Sequence, residues 1–146
     1  MTTLQDRLAA LGHTLPTLGA PAAHYLHHRA GPGLLVIAGQ IGTPGLGPLT
    51  AEAARAEAEV AALKVLAVLD AAVGGDLARV RRVLRLGVFI AAAPGFTAHS
   101  VVADGASDLL VAALGERGEH ARAAVGVASL PAGAAVEVEA LVELAP

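Results

Sequence analysis

Apolar and polar residues alternate along this chain in two periodic patterns, one with the period of a helix and one with the period of a strand. The clearest helical pattern covers residues 51–73, where apolar side chains recur every three or four positions between a capping Thr50 and a terminating Gly74-Gly75. The same reasoning predicts helices at 3–11 and 96–114. Strands are predicted at 23–29, 34–40 and 79–91, and on both sides of a break at 130–133 within residues 120–144.

This order of elements, α-β-β-α-β-α-β-β, predicts an α+β fold in which two long helices pack on one face of a mixed β-sheet. The length of 146 residues suits one domain over 1–146, with residues 1–12 as an N-terminal helical extension. The chain is 55% hydrophobic and its mean hydropathy is +0.62. We therefore expect apolar surface between subunits, although alanine, which surfaces tolerate, supplies much of that count.

Composition argues against several classes of function. The net charge is −3 and only 2% of residues are aromatic, whereas nucleic-acid binders present basic and stacking surfaces, so no nucleic-acid partner is expected. The absence of cysteine excludes disulfides and thiolate chemistry and is compatible with a reducing cytoplasm, where we place the protein. We expect no signal peptide and no membrane contact, because the longest apolar segment, 60–73, contains Lys64 and Asp70 and is too short to span a bilayer.

The two C-terminal strands carry the most suggestive charges, Arg122 in the first and Glu137 in the second. On a strand, alternate side chains share a face, and Arg122 shares its face with the small residues Ala124, Gly126 and Ala128. Such a surface leaves room for a ligand beside a guanidinium, which can bind a carboxylate through two parallel hydrogen bonds. The pattern equally fits solvated outer faces of ordinary antiparallel strands, and both interpretations stay open.

Neither a nucleotide site nor a metal site is predicted. The glycine-rich stretch 42–47 lacks the spacing of a phosphate-binding loop. His24, His27 and His28 fall on two faces of the predicted strand, and no nearby carboxylate completes a ligand set, so no metal is expected.

His120 precedes Arg122 by two residues. It either lines the same pocket as Arg122 or caps the entrance to the strand, and the sequence leaves both open. Ser100, Ser107 and Ser129 have no Asp or His context that supports a nucleophile, and no seryl-hydrolase motif is present. A covalent serine mechanism is therefore not predicted.

Six pieces of sequence form a signature when they are taken together. They are Ala38-Gly39-Gln40, the helix 51–73, Asp104-Gly105-Ala106-Ser107-Asp108-Leu109-Leu110, His120-Ala121-Arg122, Leu130-Pro131 and Val136-Glu137-Val138-Glu139. In this order and spacing the chain resembles the RidA family, also called YjgF-type or endoribonuclease L-PSP, from about residue 20 to 144. The third and fourth pieces and the N-terminal helix place it in a divergent branch.

The resemblance implies a chorismate-mutase-like fold and a homotrimer with clefts between neighbouring subunits. It further implies the hydrolysis of reactive enamines and 2-imino acids to 2-keto acids and ammonia, with no cofactor. Arg122 would bind the carboxylate of the substrate, and Glu137 would help to position the attacking water. The other residues that the resemblance and the pattern assign to the substrate site are Tyr25, which would close the cleft, Ala38, Gly39, Asp104 and His120.

Three positions depart from the family pattern. A serine commonly occupies the place of Ala38, a serine or threonine that of Ala123, and an asparagine that of Asp104. Two hydroxyls and one amide are therefore absent, which keeps a second hypothesis open, a non-catalytic trimeric binder or sensor of small carboxylate metabolites. A third, RNA cleavage, rests mainly on the older family label, and the acidic balance and the few aromatics argue against it.

Overall fold

The computed structural model describes residues 1–146, and its main elements follow the predicted order. They are α1 (Leu4–Ala10), β1 (His28–Gly31), β2 (Leu34–Ile41), α2 (Ala51–Val73), β3 (Val80–Ala91), α3 (His99–Leu114), β4 (Ala121–Val127) and β5 (Val136–Leu144). Single 3-10 turns at Leu77–Arg79, Gly115–Gly118 and Pro131–Gly133 join some of them. The predicted helix at 51–73 is confirmed to the residue, with Thr50 Oγ1 accepting a hydrogen bond from the Ala53 amide and Gly74 in the left-handed conformation.

Two predicted boundaries are wrong. The strand expected at 23–29 begins only at His28, because the Tyr25 amide donates to the carbonyl of Ala23 and this tight turn takes the preceding backbone out of the sheet. The helix expected at 96–114 begins at His99, because the Phe96 amide donates to the Ala93 carbonyl in a turn that precedes it.

The five strands form one mixed sheet in the order β1-β2-β5-β3-β4. Only the β3–β4 pair is parallel, and α3 supplies the crossover between these two strands. Along β5, the residues that face the helices are buried, and the glutamates between them lie on the other face, which carries no helix. The prediction of an α+β fold with two long helices on one face of a mixed sheet is therefore confirmed.

The core lies between the sheet and the pair α2 and α3. Its members include Leu66 of α2, Leu110 of α3 and Val138 of β5, and burying a side chain of this kind stabilises the fold by roughly 1.5–3 kcal/mol. The N-terminal helix α1 joins this core through Leu4 and Leu8, which are fully buried. None of the helices combines the length and the apolar character that crossing a lipid bilayer requires.

Candidate functional site

The register of the sheet decides which pocket each candidate residue can reach. Leu86 of β3 pairs with Arg122 of β4 on one side and with Ala140 of β5 on the other, whereas Phe89 pairs with Glu137. Leu86 is fully buried beneath the helices, so Arg122 shares the helix-bearing face. Because Glu137 is an odd number of residues from Ala140 along β5, it lies on the opposite face. Within one chain, the two residues predicted to be catalytic belong to different pockets.

Arg122 lines a cleft of about 270 Å³ between α3 and β4, which we call the Arg122 cleft. Its Nη1 donates hydrogen bonds to Oδ1 of Asp104 at 2.8 Å and to Oγ of Ser107 at 3.0 Å. The Arg122 side chain is 21% exposed, so the guanidinium is held by these bonds and still reaches solvent. Both acceptors lie on α3, one turn of helix apart, which is why one guanidinium nitrogen can contact both.

A serine and a histidine complete the wall of the Arg122 cleft. The hydroxyl of Ser107 lies 2.8 Å from Nε2 of His120, and Nδ1 of His120 lies 2.5 Å from the carbonyl oxygen of Gly118. A carbonyl can only accept, so Nδ1 carries a proton, and in the neutral imidazole Nε2 accepts the hydrogen bond from Ser107. The expectation that Ser107 has no histidine context is therefore wrong, because the packing of α3 on β4 joins residues that are 13 positions apart.

Glu137, whose side chain lies on the face without helices, lines a second pocket of about 310 Å³, the Glu137 cavity. The residues of its wall that bear on chemistry are Tyr25, His27, Gly39, Gln40, Lys64 and Glu137. Tyr25 reaches it from the loop before β1, Gly39 and Gln40 from β2, and Lys64 from α2. Three residues that the sequence assigned to the site, Tyr25, Gly39 and Glu137, thus lie together.

A β-bulge in β2 makes room for the carboxyl of Glu137. Ile37 pairs with Ala140 and Gln40 pairs with Val138, so two residues, 38 and 39, oppose one residue of β5. A Cβ atom placed on Gly39 would lie 2.9 Å from Cδ of Glu137. Only glycine therefore allows the carboxyl to lie against the strand at this point.

Burial raises the pKa of the Glu137 carboxyl above its ordinary value, and the nearby charge of Glu139 raises it further. None of the ion pairs of the chain includes Glu137. The carboxyl is thus partly desolvated and forms no ion pair, which makes it a better proton acceptor than an ordinary glutamate.

The other polar side chains of the Glu137 cavity are fixed by hydrogen bonds. Nε2 of His27 lies 2.8 Å from the Gly19 carbonyl oxygen, and Nζ of Lys64 donates to the carbonyl oxygen of Ile41 at 2.7 Å. Gln40 donates from Nε2 to the carbonyl of Ala38 at 3.0 Å. These bonds hold the wall in place around Glu137.

The predicted site residues therefore divide between two pockets. Asp104, His120 and Arg122 gather at the Arg122 cleft, and Ala38 lies in the bulge beside the Glu137 cavity, where its carbonyl holds Gln40. Sequence reasoning set Ser107 aside as a nucleophile and missed Lys64. Ser107 could have been found because it lies in the same signature piece as Asp104, three residues along a helix. No His, Asp and Glu side chains gather in a group of three or more that could hold a metal ion.

Comparison with known proteins shows which family the chain resembles. The family described as Endoribonuclease L-PSP matches residues 17–144 of the chain. Protein TCP17 of Trypanosoma cruzi is 46% identical over an alignment 147 residues long. The alignment covers 94% of this chain and 91% of that protein.

Two solved structures extend the comparison. The crystal structure of the protein Atu1372 from Agrobacterium tumefaciens, whose function is unknown, is similar with a TM-score of 0.88 and 39% identity, over 98% of this chain and 94% of the other. The structure of RidA from the Antarctic bacterium Psychrobacter sp. PAMC 21119 is similar with a TM-score of 0.60 and 29% identity, over 90% and 98%.

Proposed function

This chain belongs to the endoribonuclease L-PSP family, also called the RidA or YjgF family, and has its chorismate-mutase-like fold; on that basis we propose that it hydrolyses reactive 2-imino acids and enamines to 2-keto acids and ammonia. The observation that carries the proposal is the Glu137 carboxyl, which lies without an ion-pair partner in a cavity shared with Tyr25 and Gly39. Water adds to the C=N carbon while Glu137 accepts one of its protons and passes it to the nitrogen. The resulting carbinolamine loses its hydroxyl proton through Glu137 to the same nitrogen, so that the C=O bond forms as the C–N bond breaks and ammonia leaves.

The raised pKa of Glu137 suits this role. A general base works best when its pKa lies near the working pH, and burial moves the pKa of this carboxyl in that direction. Lys64, whose ammonium group is fixed on two backbone carbonyls at the same cavity, adds positive charge to the wall. The substrate enters already unstable, so positioning it against water supplies much of the acceleration.

The carboxylate of the substrate requires a cation, and Arg122 of the same chain lies on the wrong face of the sheet. β4, which carries Arg122, is an edge strand, so a second copy of the chain can approach it. We place the substrate between two subunits of a homotrimer, with Glu137 from one subunit and Arg122 from its neighbour. In solution the assembly should have three times the chain mass of 14.4 kDa.

Imines generated in the assay by an amino-acid oxidase test the proposal, with keto-acid formation as the readout. Glu137→Gln should lower turnover by roughly 10²–10⁴-fold, the usual contribution of a general base. Arg122→Ala should lower it by about ten- to a hundredfold, because a charge-assisted hydrogen bond contributes roughly 1.5–3 kcal/mol. Glu52→Gln, an exposed carboxylate of α2, is the matched control and should leave turnover unchanged. No turnover with any of several amino-acid-derived imines would contradict the proposal.

A second candidate is a trimeric binder or sensor of small carboxylates that catalyses nothing. Asp104 favours this candidate, because its carboxylate accepts a hydrogen bond from Arg122 at a position where the family commonly has an amide. The missing hydroxyls at Ala38 and Ala123 favour it as well. A rise in melting temperature with 2-keto acids, in a protein that does not turn over imines, would support this candidate in place of the first.

A further inference from the structure

The Arg122 cleft holds a reactive arrangement that imine hydrolysis does not use. Ser107 donates a hydrogen bond to Nε2 of His120 at 2.8 Å, and the Gly118 carbonyl fixes the opposite ring nitrogen at 2.5 Å. A nucleophile, a base within hydrogen-bond distance, and a group that orients the base are the three parts that activate a serine. Ser107 and His120 also line the cleft, so a substrate can reach both.

We propose that Ser107 is a covalent nucleophile toward small carboxylic esters that carry a second, ionised carboxylate. His120 serves as its base, and Arg122 as its cation. This activity shares Arg122 with the proposed imine hydrolysis but needs no group from the Glu137 cavity.

Arg122 supports the reaction in two ways. Its Nη1 donates to Oγ of Ser107 at 3.0 Å, which stabilises negative charge on that oxygen and favours transfer of its proton to His120. Its Nε and Nη2 atoms make no hydrogen bond within the chain, because both of its bonds use Nη1. These free donors are available to the carboxylate of the substrate.

The reaction proceeds in two balanced halves. Oγ of Ser107 attacks the ester carbonyl carbon while its proton moves to Nε2 of His120, and the tetrahedral intermediate then expels the alcohol, which takes that proton. Water attacks the resulting acyl-serine, gives one proton to His120, and releases the carboxylic acid as Ser107 recovers its hydrogen. No oxidant, reductant or cofactor enters the balance.

The size of the cleft limits the substrate. Pockets for drug-sized ligands measure roughly 300–1,000 Å³. The Arg122 cleft has about 270 Å³, and Val111 is the one apolar residue of its wall. We therefore expect the substrate to have a short acyl group, as in the half-ester of a four-carbon dicarboxylic acid.

Labelling with a fluorophosphonate, which phosphonylates activated serines, tests the nucleophile directly. We expect a single adduct on Ser107, located by mass spectrometry, and none in Ser107→Ala. Ser100→Ala, which removes an exposed serine from the same helix, should label like the parent protein. His120→Gln should label at least tenfold more slowly at an unchanged melting temperature, which a purely structural histidine would not do. An unlabelled Ser107, or equal labelling rates with and without His120, would overturn the proposal.

Two chromogenic esters test the specificity. Mono-4-nitrophenyl succinate should be hydrolysed with a higher kcat/KM than 4-nitrophenyl acetate, and Arg122→Gln should reduce that preference by about ten- to a hundredfold. A preference that survives Arg122→Gln would overturn the assigned role of Arg122. Glu137→Gln should leave the labelling of Ser107 intact, so the failure of this proposal and the failure of imine hydrolysis are distinguishable.

Discussion

Arg122 and Glu137, the central charges of the Arg122 cleft and the Glu137 cavity, lie on opposite faces of one sheet, and only Arg122 has an ion-pair partner. Arg122 is held by Asp104 and Ser107 at 2.8 and 3.0 Å. Glu137 has no ion-pair partner, and burial raises the pKa of its carboxyl. A charge with partners is fixed before a ligand arrives, whereas a desolvated charge without a partner is poised to gain a proton or bind a cationic group. Arg122 is thus suited to position a ligand, and the Glu137 carboxyl to exchange a proton with one.

One glycine permits a close contact on the element beside each pocket, Gly105 on α3 and Gly39 on β2. At Gly105, α3 lies against the backbone of α2, where an added Cβ would be 3.0 Å from the carbonyl carbon of Arg55 and nearer still to its oxygen. At Gly39 the atoms in the way belong to the movable end of the Glu137 side chain. The contact at Gly105 is therefore rigid, and the contact at Gly39 can yield. Replacing each glycine with alanine should accordingly change the stability of the protein by different amounts.

The largest effect on stability is expected for Gly105→Ala. Overpacking against a backbone costs about 1–3 kcal/mol, and the better helix propensity of alanine offsets roughly 1 kcal/mol of it. The free energy of unfolding in urea should fall, and the shift of α3 should slow the labelling of Ser107. Gly31→Ala, where a Cβ meets nothing within 4 Å, is the control and should unfold like the parent. A Gly105→Ala protein as stable as the parent would show that the two helices can separate at this crossing.

Gly39→Ala should change stability by less than about 1 kcal/mol, because the carboxyl of Glu137 can rotate away from the new methyl group. Imine turnover should nevertheless fall, because the base has left its place in the cavity. Steady-state kinetics and urea unfolding on the same preparation measure both quantities. If Gly39→Ala loses as much stability as Gly105→Ala, the contrast between a rigid and a yielding contact is wrong.

Periodicity within single elements was enough to predict most of the fold. The helix 51–73 and the last strand were predictable because each buries one face with its own period, independently of its neighbours. The strand at 23–29 failed because a local turn at Tyr25 overrides its composition.

The pairings across elements were beyond the reach of periodicity. Whether Arg122 and Glu137 share a face depends on the register of β3 between their strands, which neither strand encodes by itself. The contact of Ser107 with His120 depends on how the crossover helix packs on β4. Their common membership of one family signature was the only hint that the sequence offered.

Asp104→Asn should make the two pockets more alike by freeing Arg122 from its ion pair. Half-exposed pairs of this kind contribute about 0–1 kcal/mol, so stability should change little. The affinity for 2-oxobutyrate, measured by calorimetry, should rise by up to about fivefold, the equivalent of 1 kcal/mol. Asp108→Asn, which removes the exposed partner of Arg55 on the same helix, is the matched control and should leave that affinity unchanged. Weaker binding by Asp104→Asn would show that Asp104 positions the guanidinium and does not compete for it.

The smallest effect concerns pH and the free energy of unfolding. In the unfolded chain the carboxyl of Glu137 titrates near its ordinary pKa of 4.5, and in the folded protein its pKa is higher. Between these two values the folded state binds more protons, so Glu137 lowers the free energy of unfolding as the pH rises through this window. Glu137→Gln cannot ionise, and its stability relative to the parent should therefore increase from pH 4 upward and level off once the folded carboxyl is ionised. Urea unfolding of both proteins at several pH values measures this difference, with Glu52→Gln as the control for an exposed carboxylate. A difference that is constant with pH would show that folding leaves the pKa of Glu137 unchanged. A difference that shrinks as the pH rises would show that the carboxylate has a stabilising partner and that the cavity resembles the Arg122 cleft.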